Sequence, residues 1–250
     1  MPNQIGNAPV VLVSESREGL AIARNAGWQA AAGDIIAFTD DDCYIAPDFI
    51  DSVARAFSKS PEVGMIGGRI LLHDPSDQPI TILEDTERRE FPPHSFISAG
   101  AIQGANMAFS RRTLELIGGF DERLGAGTPF PCEDIDAVAA ALWLGIPGAY
   151  DPNPTVFHAH GRKTDAEFRS LMATYDAGRG AYYAKRILDR QSRRTYLRAW
   201  YHSIRREFQA ATKLAKAGRI HTMGQSRREL ISGIRFWLSL VRHRARPSHI

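Results

Sequence analysis

Asp40, Asp41 and Asp42 are three consecutive carboxylates at the end of the apolar run Ile35-Ile36-Ala37-Phe38, and no apolar contact accounts for them. Three adjacent acids repel one another and lose hydration if crowded. Either a cation or a solvated turn ahead of the helix near Pro47 must compensate them. A second acidic cluster, Glu133-Asp134-Ile135-Asp136, follows a stretch rich in Gly, Thr and Pro over residues 123–132. Acids at a helix start ordinarily serve its dipole and cap. A mobile loop leading into them is also what an active-site lid requires. His158 and His160 alternate along a candidate strand, which places both rings on one face. Arg24 is either an ordinary helix-surface arginine or a guanidinium poised for bidentate contact with phosphate.

The elements that must position these groups alternate between strand and helix. Residues 35–38, bounded by Gly33 and the aspartates, read as a buried strand of the kind found in parallel sheets. Ligands of such sheets sit beyond the carboxyl ends of the strands, where the aspartates fall. Residues 10–13 read as a short strand, 20–31 as a helix, and 48–58 as a helix closed by Pro61. Residues 63–72 look like a strand bent or bulged at Gly67-Gly68. A polar stretch, 73–94, reads as loop with a helical turn or two. Residues 102–109 form a strand feeding a helix over 111–117 that stops at Gly118-Gly119. A helix after Glu133, a strand reaching Tyr150, and residues 156–160 complete the pattern.

Three quoted stretches carry a resemblance: Gly19-Leu20-Ala21-Ile22-Ala23-Arg24-Asn25-Ala26-Gly27, then Ala32-Gly33-Asp34-Ile35-Ile36-Ala37-Phe38 with the aspartates, then Pro47-Asp48-Phe49-Ile50. In order and spacing they resemble the middle of a family 2 glycosyltransferase domain. The fold so implied is GT-A, an α/β, Rossmann-like mixed sheet with helices on both faces. The resemblance implies that Asp40 and Asp42, with Asp41 between them, hold Mg2+ or Mn2+ on the diphosphate of a nucleotide sugar. Hard cations of that kind prefer carboxylate and phosphate oxygens. Gly104-Ala105-Asn106 would line the donor-sugar and acceptor pocket, with Gly104 and Asn106 on the donor side. Asp134 would be the catalytic base, flanked by Glu133 and Asp136 on the acceptor side. His160, ahead of His158, would complete the metal's coordination or bind diphosphate.

With 250 residues and 44% hydrophobic content, the chain can bury one main core plus an appendage. No twenty-residue apolar span is present. The best candidate, 137–146, contains Gly145 and runs into Pro147. Residues 1–7 carry no secretory pattern. Cys43 and Cys132 lack metal-ligand spacing, which suits packed thiols in a reducing cytosol. A net charge of +3 hides a division: residues 1–161 hold 10 Lys/Arg against 22 Asp/Glu, a balance of −12, whereas 162–250 hold 21 against 6, a balance of +15. Two units follow, a GT-A-like core over 1–161 and a basic helical extension over 162–250. The resemblance starts at the family's third strand, so two strand-helix units, about 60 residues, are expected to be missing. Residues 35–39 would then have an open side. The reading frame is truncated, or a partner chain completes the sheet.

The extension reads as helices over 166–189, 192–217 and 227–244, with breaks near Gly178-Gly180 and Gly218. In the last, Leu230, Ile234, Trp237, Leu238 and Val241 share one face, while Arg228, Arg235 and Arg242 lie on another. That helix either packs on the core or rests on anionic lipid, at the inner face of a membrane. A nucleic-acid partner is not expected, because no nucleic-acid fold accompanies the charge. The expected activity is inverting transfer of a sugar from a nucleoside-diphosphate sugar to a glycan or lipid-linked acceptor. The competing reading is an inactive fragment or scaffold with structural acids. A nucleotidyltransferase is disfavoured, since its glycine-rich phosphate loop is not seen.

Overall fold

The structure, a computed structural model, describes residues 4–5, 8–216 and 224–244. A two-residue pairing of β1 (Gln4–Ile5) with β2 (Ala8–Pro9) precedes the helix α1 (Leu20–Ala30). A mixed sheet then forms from β3 (Ile35–Phe38), β4 (Cys43–Ile45), β5 (Met65–Leu72), β6 (Arg89–Phe91), β7 (Met107–Ser110) and β8 (Gly148–His158). Its order is β3-β7-β5-β8-β4, with β6 also beside β8. β5 and β8 run parallel, and the remaining pairs are antiparallel. Helices α2 (Phe49–Lys59), α3 (Arg111–Ile117) and α4 (Glu133–Trp143) pack on it.

Period-two alternation sorts the strand side chains onto two faces. Ile36, Phe38, Met65, Met107 and Phe109 join one apolar cluster with Leu114 of α3 and Val138 and Leu142 of α4. Ile66, Ala108, Ala149 and Val156 join the other, beneath Phe49, Val53 and Phe57 of α2. Helices therefore cover both faces, as the α/β expectation requires. Ser110 caps α3 by accepting the N–H of Thr113, and Gly118 ends it in the left-handed conformation.

Several local expectations need correction. β3 is not buried in a parallel sheet: it is a terminal strand, antiparallel to β7, with Ala37 exposed. Residues 10–13 form no strand, and Leu12 is 79% exposed, because their backbone finds no ladder to join. The bulge at Gly67-Gly68 is present. The register with β8 jumps between Gly67 and Arg69, and a Cβ at Gly68 would collide with the Asn106 amide. β8 is correspondingly continuous where two segments around Pro152 were expected. Residues 73–94 contain β6 and a bridge from Leu83 to Ile70 instead of a helical turn. Residues 102–106 turn rather than extend, so β7 starts only at Met107.

The carboxyl-terminal part is α5 (Asp165–Leu188), α6 (Arg193–Lys216) and α7 (Gly224–Arg244). Thr164 and Glu167 form a capping box at the start of α5. Gly178 and Gly180 do not interrupt α5; they let other backbone approach it. A Cβ at Gly178 would collide with the carbonyl of Pro131, and one at Gly180 with the carbonyl of Glu229 in α7. The break expected at Gly218 lies outside the described residues. Tyr182, Tyr196 and Phe236 belong to the same apolar cluster as α4, so these helices share the core of the sheet. Gly180→Ala, which forces α7 away from α5, is expected to cost about 1–3 kcal/mol in urea unfolding. A loss below ~0.5 kcal/mol would mean that the close approach is not needed.

Candidate active site

The turn beyond the carboxyl end of β3 carries the aspartate triplet. Asp40 and Asp42 are half-buried, whereas Asp41 is exposed. β4 pairs with β8 so that Cys43 lies opposite His158, and the N–H of Ala159 donates to the Asp42 carbonyl at 2.8 Å. The triplet is thereby fastened to the histidine segment. From the opposite side, α1 sends in Arg24, which is 7% exposed. Its guanidinium donates to Asp40 Oδ1 at 2.9 Å and to Glu133 Oε1 at 2.5 Å. One buried cation thus links two acidic clusters that are distant in sequence. Gly104 makes room for it, since a Cβ there would overlap the guanidinium.

Asp134 faces the same space. Its Oδ2 accepts the N–H of Gly104 at 2.9 Å and its Oδ1 accepts the N–H of Ile135 at 2.7 Å. Burial raises the pKa of Asp40; Arg24 partly opposes this, while the charges of Asp42 and Asp134 push it further. The two clusters therefore meet. Burial and the neighbouring Asp134 push Glu133 up to about 7 against the pull of Arg24. A carboxyl whose folded pKa is raised stabilises the fold below its unfolded pKa and loses that contribution as pH rises through the folded value. The urea midpoint is accordingly expected to fall between about pH 5 and pH 8, and Glu133→Gln to flatten that fall. An unchanged slope in Glu133→Gln would remove Glu133 as its source.

The model for glycosyl transferase family 2 matches residues 6–114, the segment that carries Arg24, the aspartate triplet and Gly104. Residues 6–114 are similar to that family. The chain is 29% identical over 158 residues to a pre-mycofactocin glycosyltransferase of Mycobacterium tuberculosis, covering 60% of this chain and 32% of that protein. It is 24% identical over 122 residues to a glucosyl-dolichyl phosphate glucuronosyltransferase of Haloferax volcanii, covering 46% and 39%. The chain thus spans about a third of the length of the curated relatives it matches. Its fold is like that of the mannosyltransferase PcManGT from Pyrobaculum calidifontis, solved with GDP-Man and Mn2+. That likeness has a TM-score of 0.54 at 17% identity, over 93% of this chain and 70% of the other. The GT-A architecture is common to both.

The donor atoms at this site suit a hard divalent cation. Asp42 Oδ2 lies 3.3 Å from His158 Nε2, and Cys43 completes a cluster whose ligand atoms lie within 4.8 Å of one another. His158 is buried, and its Nδ1 has no hydrogen-bond partner. A carboxylate and an imidazole beside a further half-buried aspartate form a set that Mg2+ or Mn2+ accepts. The Cys43 thiol is the least suited of the three, because hard cations of this kind prefer oxygen ligands to soft thiolate sulfur.

Other sequence expectations move away from the cleft. His160 lies past the end of β8, and both its ring nitrogens are engaged: Nε2 with the Gln78 carbonyl at 2.9 Å and Nδ1 with the N–H of Arg162 at 3.0 Å. It fastens the loop over 73–78 and is not free to ligate. Asn106 is 2% exposed, and its amide donates to the carbonyls of Arg69 and Pro154, so it holds the β5–β8 bulge instead of meeting a donor. Asp136 turns inward, where Arg186 and Lys185 of α5 pair with it, and this keeps it from an acceptor. Arg24 offers its guanidinium to carboxylates in place of phosphate.

Tyr175 of α5 was not legible beforehand. Its pKa is raised by burial and also by the charges of Asp134 and Asp40. Its hydroxyl is 2.9 Å from Thr81 Oγ1, and Thr81 has φ +58, a strained conformation for a β-branched residue. A contact of this kind between residues 94 positions apart has no local sequence signal.

Proposed function

We propose that this chain carries out inverting transfer of a sugar from a nucleoside-diphosphate sugar to a hydroxyl of a glycan or lipid-linked acceptor. The observation that carries this reading is the meeting of Asp40, Asp42, His158 and Asp134 on one cleft at the carboxyl end of β3. Two backbone N–H groups orient the Asp134 carboxylate, leaving lone pairs on both oxygens for an incoming proton. Asp134 takes the proton of the acceptor hydroxyl while that oxygen forms a bond to the anomeric carbon. The bond from that carbon to the diphosphate breaks on the opposite face, and configuration inverts. Asp42 and His158, with Asp40, would hold a divalent cation, which when bound neutralises charge on the leaving diphosphate. Arg24 keeps the two acidic segments at a fixed separation. The dolichyl phosphate in the name of the Haloferax relative agrees with a lipid-linked acceptor.

Binding of a nucleoside diphosphate, titrated with and without Mn2+, tests the metal arm. His158→Ala is expected to weaken Mn2+-dependent binding about 10–100-fold. Equal binding without metal, or in His158→Ala, would take the cation out of the mechanism. Failure of the unaltered chain to bind any nucleoside diphosphate would favour the scaffold reading.

A further inference from the structure

Helices α6 and α7 each bury one face and present an apolar stripe on another. In α7 the inward side chains are Ser226, Glu229, Ser232 and Phe236, while Leu230, Ile231, Ile234, Trp237, Leu238 and Val241 stay 40–51% exposed. In α6, Leu197, Tyr201 and Phe208 recur at helical spacing and are 47–61% exposed. Arginines flank both stripes: Arg194, Arg198 and Arg205 on α6, and Arg228, Arg235 and Arg242 on α7, all exposed.

The two acids on these helices do not reach that surface. Glu229 is buried against Arg179 and Trp200, and Glu207 accepts the N–H groups of Gln225 and Ser226 at the start of α7. Among the described residues of α6 and α7, every exposed charged side chain is therefore basic.

We propose that the outward faces of α6 and α7 dock on an anionic lipid surface. Aliphatic side chains and a tryptophan flanked by arginine match the boundary between acyl chains and acidic headgroups. A second copy of this chain fits less well, because it would bring arginine against arginine. Nucleic acid would meet the arginines but leave Leu230, Ile234 and Val241 in water. No helix among the described residues is long and apolar enough to cross a membrane, so the contact is one of surface docking. On its inner side α7 sets Phe236 against Phe130 with ring centroids 5.3 Å apart, two residues before Cys132 and the acidic start of α4. The inference stands whether or not the chain transfers sugar.

Flotation with phosphatidylglycerol vesicles, phosphatidylcholine vesicles, and phosphatidylglycerol vesicles in high salt tests it. The full chain is expected to float with the first, and at least about tenfold less with the other two. Ile234→Glu with Trp237→Glu, both exposed positions, should lower the bound fraction about tenfold while leaving circular dichroism and Tm unchanged. Arg235→Glu with Arg242→Glu should do the same through charge alone. No flotation at low salt overturns the proposal. So does a dimer, by light scattering, that the Ile234→Glu, Trp237→Glu pair converts to monomer while vesicle binding is unaffected.

Discussion

Asp134→Asn is expected to lower turnover by about 10²–10⁴-fold while leaving the dissociation constant for the nucleotide sugar within about threefold. Asparagine keeps the shape of the side chain and an oxygen for one of the two backbone N–H groups, from Gly104 and Ile135. What it loses is the capacity to accept a proton. The loss should therefore appear in kcat with little change in donor binding. Single-turnover measurement at saturating donor and acceptor separates the two. Turnover within tenfold of the unaltered chain would mean that another group takes the proton, and Glu133, whose pKa is raised to about 7, would be the first to substitute.

The second large effect is on stability and lies two residues further along α4. Asp136 is 3% exposed and pairs with Arg186 Nε at 3.1 Å and with Lys185 Nζ at 2.6 Å, and Lys185 also reaches Asp121 at 2.5 Å. Burial alone would raise the Asp136 pKa, but Arg186 and Lys185 hold it below the usual carboxylate range. Asp136→Ala leaves the Arg186 guanidinium, 7% exposed, without its counter-ion. Removing one partner of a buried pair costs about 3–5 kcal/mol. At roughly 2–4 °C per kcal/mol for a chain of this size, Tm should fall by about 6–20 °C. Asp136→Ala with Arg186→Met, which removes both charges, should recover part of that loss. A single variant as stable as the parent would show that the pair is dispensable.

These neighbours in sequence illustrate what a motif can and cannot say. Glu133, Asp134 and Asp136 look equivalent as letters, since all are acids at a helix start. Helical geometry puts Asp134 toward Gly104 and the cleft, and Asp136 about 200° round the axis, toward α5. The identity of the group waiting on each side separated their roles, and that group comes from residues 24, 104 and 186. The same holds for His158 and His160. Alternation along a strand places both on one face only while the strand lasts, and β8 ends at His158.

Local rules worked where local physics dominates. The Gly118-Gly119 stop marked the end of α3, and two glycines marked the β5 bulge. They failed for residues 10–13, where strand propensity has no partner edge to satisfy it. They failed also at Gly178 and Gly180, where glycine ordinarily signals a helix break. There the missing side chain serves contact with the backbone of Pro131 and Glu229, invisible until α7 is placed.

By itself, the order of residues determined the α/β class and two acidic clusters of unlike surroundings. These follow from periodicity and from charges that no apolar core would tolerate, both readable over a few positions. Only the tertiary structure decided which acids share the cleft, that Arg24 lies between Asp40 and Glu133, and that the apolar side of α7 faces outward. Those outcomes depend on contacts between segments tens of residues or more apart, where burial and charge pairing are settled jointly and no single stretch carries the information.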